Sequence, residues 1–433
     1  MKKIILFIIF NLLFITHSNA KDLIKALNQA YNSNLKLNAE RENIKIAKEN
    51  VNEALSDFLP SITISGYVSE EETTKLTKRN GKEIQGTDLD PSQRSILIEQ
   101  KLFQGLGGVS NFKKNNLGLE LSEYKLKKIE QEILFSAIEA YTGLVLSYKK
   151  VSINISNVNL IERQVETDKN RLEQGEISLT DLAQSEASLA GAKAKLIQAQ
   201  NELIISKSNY EKNIGIFDGN FEGLDKNYVF NYELPTSLAS ANEISKKENP
   251  NLNIAKLELQ QAERDVNIAQ SEFSPSASLS FKVTQSDDVS STYDQTDKKV
   301  LKTEVSWPIF TGGKNYSGLK KSKNIRHQKL LLLEDAKRST AVSVTNAWSN
   351  LQSSKSFLFS IESQVKAAEI ANEGITLEYD SGNTRTTLEV IQSRSLLLDA
   401  RIAFAKAQRD FMISKFELAF QLGTLSLSSI KSL

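Results

Sequence analysis

The chain has 433 residues, a net charge of +1 and no cysteine. Balanced charge argues against nucleic acid as a main partner, and the missing thiols exclude a disulfide framework or a thiolate metal site. His17 and His327 are the only histidines, and no nucleophile or metal pattern surrounds them, so no enzyme chemistry and no cofactor are expected.

The first twenty residues carry Lys2 and Lys3, an apolar run from Ile4 to Ile15, and the small residues Ser18 and Ala20. This layout predicts a cleaved secretory signal over 1–20. The apolar run is shorter than the ~20 residues of a spanning helix. Cleavage leaves 413 residues from Lys21 onward with a net charge of −1.

Next comes a helical stripe, Ala47, Val51, Ala54 and Phe58, closed by Pro60. It returns as Ala262, Val266, Ala269 and Phe273, closed by Pro275, at one constant offset. The 4-3-4 spacing marks one face of a helix, and the proline stops it. After each proline the chain alternates. Ile62, Ile64 and Val68 share one face in the first copy, and Ala277, Leu279, Phe281 and Val283 in the second. This is strand periodicity. A polar loop and a second strand follow in each half, with Ile96 and Ile98 in one, and Leu301, Thr303, Val305, Trp307 and Ile309 in the other.

Each second strand runs into a glycine junction. Phe103 precedes Gly107-Gly108, and Phe310 precedes Gly312-Gly313. The glycine pairs are expected to let the backbone bend from strand to helix. A phosphate-binding reading fails, because no lysine or acidic partner stands in the required place. A long helical stretch follows each junction. The first runs from about Val109 to Glu173, which spans ~100 Å at ~1.5 Å per residue.

Turns then lead into return helices, with Gly175 matching Gly382 and Asp181 matching Glu389. Leu182, Leu189, Ala192, Leu196, Ala199, Leu203, Ser206 and Tyr210 form a seam of coiled-coil type, and so do Leu396, Ala400, Ala403, Ala407, Phe411, Ser414 and Leu418. The expected organisation is a signal peptide (1–20), a first repeat (21–215, strand hairpin 61–103), an equatorial-type connector (216–248), a second repeat (249–423, strand hairpin 276–310) and a C-terminal tail (424–433).

The strands are apolar on one face and rich in Ser, Thr, Lys and Glu on the other, as in a transmembrane barrel wall. Lipid forbids free sheet edges, and four strands are too few to close. The fold class expected is a mixed membrane β-barrel plus long α-helical barrel, internally duplicated, with four strands per protomer and closure only in the oligomer. Trp307, Phe310 and Phe103 fall where an aromatic girdle sits in such barrels.

In block order, duplication and spacing the chain resembles the outer membrane efflux protein family, the TolC-like channels. The blocks are "SDFLPSITISG", "SEFSPSASLSF", "WPIFTGGKNYSG", "RLEQGEISLTDLAQSEASL" and "EYDSGNTRTTLEVIQSRSLLLDA". The resemblance implies a homotrimer in the Gram-negative outer membrane with a long periplasmic portion. It would be the exit duct for an inner-membrane RND, ABC or MFS-type transporter and a periplasmic adaptor (membrane fusion) protein. Cargo would be small molecules or secreted protein. The resemblance also places a latch at the periplasmic tip, formed by Asp181, Tyr379 and Arg385 between neighbouring helix pairs. Where the family often has two aspartate rings, this chain has Glu389 and Gln392, so one acidic entrance ring is expected. Alternative readings are a duct dedicated to type I protein secretion, or a periplasmic coiled-coil adaptor or structural protein. The last of these leaves the paired amphipathic hairpins unexplained.

Overall fold

The computed structural model describes residues 23–74, 76–77, 79, 81–84, 87–217, 234–290, 292–381 and 385–430. The expected signal, most of the connector, Gly382 and the last three residues of the tail lie outside the described residues. The elements are α1 (Leu23–Ser33), α2 (Leu35–Ser56), β1 (Ser61–Val68), β2 (Glu71–Thr73), β3 (Leu76–Thr77), β4 (Glu83–Ile84), β5 (Thr87–Leu89), β6 (Ser92–Gln104), α3 (Gly107–Glu173), α4 (Leu179–Asn213), α5 (Leu238–Glu248), α6 (Pro250–Ser271), β7 (Ser276–Ser290), β8 (Tyr293–Ser306), α7 (Lys314–Asp380) and α8 (Thr387–Leu422). Among the described residues no helix is long and apolar enough to cross a membrane. The chain forms two compact units, one made of Arg41–Tyr124 with Leu252–Ala336, the other of the remainder.

The first unit holds an antiparallel sheet in the order β1-β6-β7-β8. Its register lines up Ile62, Ile98, Phe281 and Leu301 straight across all four strands. Ile64, Ile96 and Val283 form the adjacent row. Side chains opposite one another share a face, so these rows make an apolar band, and it is uncovered. Ile62 is 68% exposed and Leu301 70%. The other face carries Glu99, Ser280 and Lys302 in one row, a Ser65–Ser95 hydroxyl pair at 2.8 Å and a Lys302–Glu304 ion pair. Between β1 and β6 the small ladders β2–β5 and β3–β4 extend the hairpin loop.

Beside the sheet the helices form a row. Phe58, just past α2, packs edge-on to Phe112 of α3 with ring centroids 6.5 Å apart. Lys114 of α3 pairs with Asp265 of α6 at 2.8 Å. Lys329 of α7 pairs with Glu258 of α6 at 2.8 Å, and Asn315 Nδ2 donates to the Glu272 carbonyl at 2.7 Å. The helix order is therefore α2-α3-α6-α7. Ala47, Ala54, Ala262, Val266 and Ala269 are buried, as their stripe requires.

The strand–helix junctions differ from their sequence reading in two respects: β8 ends at Ser306, so Trp307 and Ile309, read as strand residues, lie past it, and the first bend falls elsewhere. In the second half the bend uses the left-handed Gly312 and Gly313. In the first half it uses Gly105 (φ 56°) and Leu106 (φ 65°), two residues before the expected pair. Gly107 and Gly108 already open α3. Gly107 is needed for another reason: a Cβ there would run into the Ser271 side chain. Gly105 and Gly312 stand equally far from Phe103 and Phe310, although β6 ends at Gln104 and β8 already at Ser306.

The second unit is helical. Its main core gathers Leu27, Leu134, Ile138, Tyr141, Tyr210 and Phe416. The duplication shows in matched contacts: Ser147–Ser206 at 2.6 Å ties α3 to α4, and Ser354–Ser414 at 2.8 Å ties α7 to α8. The seam of α8 begins at Val390, Ser393 and Leu397, not at Leu396. Leu397 is 9% exposed and Leu396 52%. The stretch read as connector contains α5, capped by Ser237, whose side chain accepts from the Ser240 amide. Pro250 starts α6 at the first helical position, where its missing N–H costs nothing.

Candidate functional site

The ends of α3 and α7 and the starts of α4 and α8 lie in the helical unit, and the sequence-derived tip residues lie on them. The α3 end is built by Gly175 in the left-handed region. Its amide donates to the Leu172 carbonyl and the Glu176 amide to that of Arg171, both at 2.9 Å. This paired arrangement stops a helix cleanly. α4 then starts with a capping box. The Ser178 side chain accepts from the Asp181 amide, and the Asp181 carboxylate accepts from the Ser178 amide at 3.0 Å. α8 starts identically, with Thr386 and Glu389. The signals S-L-T-D and T-T-L-E were present in the sequence.

Asp181 and Glu389 are therefore counterparts, and both are held ionised. The Ser178 side chain and amide pull the Asp181 carboxyl below the usual carboxylate range. The Thr386 amide, then Arg385 and the Thr386 hydroxyl, do so for Glu389.

The three residues expected to form the latch have separate partners within one chain. Asp181 is taken up by its cap. Arg385 donates from Nε to Glu378 at 2.6 Å and from Nη1 to Glu389 at 3.0 Å, bridging the end of α7 to the start of α8. Tyr379 goes to a carboxylate the sequence reading missed, Asp168 of α3. Gln392 is exposed on α8.

Asp168 is fully buried. It accepts from Tyr379 Oη at 2.7 Å, Gln164 Nε2 at 2.8 Å and Ser185 Oγ at 2.5 Å. Thr387 Oγ1 lies 3.1 Å from the Tyr379 hydroxyl, so one carboxylate gathers side chains from all four helices. Positive charge stands close by: the Arg171 guanidinium lies over the Tyr379 ring at 4.6 Å, and Arg394, itself desolvated, feels both Asp380 and Asp168. Burial raises the Tyr379 pKa, so its hydroxyl stays a donor. The available signal was periodic. Val158, Ile161, Val165, Asp168 and Leu172 are spaced 3-4-3-4, which puts a carboxylate at a core position.

Among the described residues no group of His, Asp or Glu side chains could hold a metal ion. The site holds helices together.

The outer membrane efflux protein profile matches residues 26–215 and 243–424. The chain belongs to the outer membrane efflux protein family. It is 24% identical over 413 residues to the outer membrane efflux protein BepC of Brucella suis, covering 95% of this chain and 87% of that protein. It is 21% identical over 364 residues to the alkaline protease secretion protein AprF of Pseudomonas aeruginosa, covering 83% and 75% respectively. The fold superposes on the CmeC outer membrane channel of Campylobacter jejuni with a TM-score of 0.80 at 14% identity, over 94% of this chain and 87% of that one. This family member is an outer-membrane channel-tunnel of an efflux or secretion system, with a long periplasmic helical region.

Proposed function

We propose that three copies of this chain close into the exit duct of a tripartite exporter, fed by an inner-membrane RND, ABC or MFS-type transporter through a periplasmic adaptor protein. One observation carries this reading. The four-stranded sheet has an uncovered apolar band on one face, a polar opposite face, and open edges at β1 and β8. A membrane wall cannot keep such edges, and three four-stranded sheets give the even strand count of a closed barrel. The exposed Trp307, Ile309 and Phe310 then meet the periplasmic lipid–water boundary.

The tip holds the gate in this reading. Tyr379 and Asp168 keep one copy's helices together, and Arg385 and Asp181, on the two tip turns, latch neighbouring copies. Three copies of Glu389 form the acidic ring, with Gln392 neutral beside it. BepC is an efflux protein and AprF a protease secretion protein by name, and both cargo classes suit a duct of this kind.

The test is extraction from outer membrane and reconstitution in planar bilayers. A heat-resistant oligomer with unit conductance steps is expected, and the transporter that copurifies under mild cross-linking identifies the cargo class. A soluble monomer whose Ile62, Phe281 and Leu301 resist labelling would refute the duct.

A further inference from the structure

The duplication supplies a template for the contact between copies. In the rows β1-β6-β7-β8 and α2-α3-α6-α7, the middle junction is α3 against α6. It joins the long helix of the first half to the entry helix of the second. In a closed ring, which is the reading proposed above, α7 of one copy meets α2 of the next. That pair is again a long helix and an entry helix.

Equivalent residues follow from the two offsets already seen. Ala47 to Ala262 fixes the entry helices, and Phe103 to Phe310 with Gly105 to Gly312 fixes the long ones. Three contacts of the inner seam then translate. Lys114, which pairs with Asp265, becomes Lys321 facing Asn50 of the next copy. Gly118, which lies against Gln261, becomes Ile325 facing Ile46. Gly105, which packs on Ser271, becomes Gly312 facing Ser56.

In a single chain each of these positions is uncovered. Lys321 is exposed and makes no ion pair among the described residues, and nothing lies near a Cβ built on Gly312. Ile46 is 57% exposed and Ile325 36%. Ser317, Lys321, Asn324, Ile325 and Gln328 line a shallow groove of about 550 Å³ on this edge.

Charge fits as well. From Lys314 to Lys329 the chain carries six Lys or Arg and no Asp or Glu. On α2, Glu49 and Glu53 flank Asn50 and are exposed. Lys321 lies seven residues inside the start of α7 and Glu49 seven inside the end of α2, ~10 Å below the helix ends in both cases. We infer that α2 of a second copy fills the α7 groove, with Lys321 paired to Glu49 and Glu53, Ile325 covering Ile46, and Gly312 seated on Ser56.

The chain has no cysteine, so introduced pairs are unique. Ile325→Cys with Ile46→Cys, treated with a short bismaleimide in outer membranes, is expected to give a covalent ladder ending at the full oligomer. Lys323→Cys with Ile46→Cys should give none. Lys321→Glu should lower the temperature at which the oligomer dissociates, and adding Glu49→Lys should restore it, a rescue that a folding defect would not show. An oligomer that conducts but lacks the ladder, or whose dissociation ignores both charge changes, overturns this seam while leaving the duct intact; insensitivity to these changes combined with a response to anionic lipid would assign Lys321 to headgroups instead. Absence of any oligomer from the unaltered chain removes seam and duct together.

Discussion

The Tyr379 hydroxyl donates a 2.7 Å hydrogen bond to the Asp168 carboxylate, tying the last turn of α7 to the closing turns of α3. Both groups are buried. A hydrogen bond to a buried charge contributes about 1.5–3 kcal/mol. Tyr379→Phe keeps the ring under Arg171 and removes only the donor. It is expected to raise single-channel conductance by loosening the closed tip. Asp168→Asn should raise it further, since it also alters the acceptor shared by Gln164 and Ser185, and Tyr379→Phe should add little on top of it. Additive effects in bilayer recordings would show that the two residues act separately.

Much of this molecule was readable from its residues, and the reasons differ by element. The Ala47–Val51–Ala54 stripe and the Ile62–Ile64 alternation reflect burial on one face or exposure of one face to lipid, and such periods are local. Asp168 was not readable as a hub, because its partners come from three other helices as well as its own. Asp181 was read for its charge, when Ser178 three residues back already fixed it as a cap. The bend at Gly105–Leu106 was hidden by the more conspicuous Gly107-Gly108, of which Gly107 serves close approach to Ser271 and not the turn. Leu396 was chosen over Leu397 because they stand four and three residues before Ala400, and a seam of this type accepts either step.

Arg385→Ser removes both guanidinium contacts across the second tip turn, to Glu378 and to Glu389. The bridge between α7 and α8 is lost, and so is the cation of the proposed latch between copies. Conductance of the closed state should rise. The freed Glu389 carboxylate should also make block by divalent cations deeper. An unchanged closed state would remove Arg385 from the gate.

Glu389→Gln is expected to do the opposite to block. It removes the carboxylates of the proposed entrance ring, since Gln392 is neutral. Added divalent cations should then reduce current less than in the unaltered channel. Because glutamine still suits the N3 position of a capping box, α8 should keep its start, and circular dichroism should not change. Equal block in both channels would exclude Glu389 from the conduction path.

Acid should fray the two return helices together. The Asp181 and Glu389 carboxyls both lie below the usual carboxylate range in the folded chain. A depressed carboxylate contributes stability above its unfolded pKa and loses it as pH falls through the folded one. The capping boxes should therefore hold near neutrality and open only as pH falls below the usual carboxylate range. Hydrogen exchange over 178–185 and 386–393 is expected to quicken in parallel on acidification. Acceleration in only one segment would break the equivalence of the two caps.

The two junction glycines offer the sharpest comparison between folding and assembly. Gly105 and Gly312 share a left-handed backbone, so alanine at either position adds strain of ~1–2 kcal/mol. Their surroundings in one chain differ. A Cβ on Gly105 meets Ser274 and the Ser271 carbonyl, and a Cβ on Gly312 meets nothing. Gly105→Ala should therefore impair the chain itself, leaving a protease-sensitive product. Gly312→Ala should leave a protease-resistant chain yet lower the yield of heat-resistant oligomer, because the missing neighbour at Gly312 is Ser56 of the next copy. If both variants assembled equally well, Gly312 would have no partner to crowd, and the two junctions would be alike in backbone only.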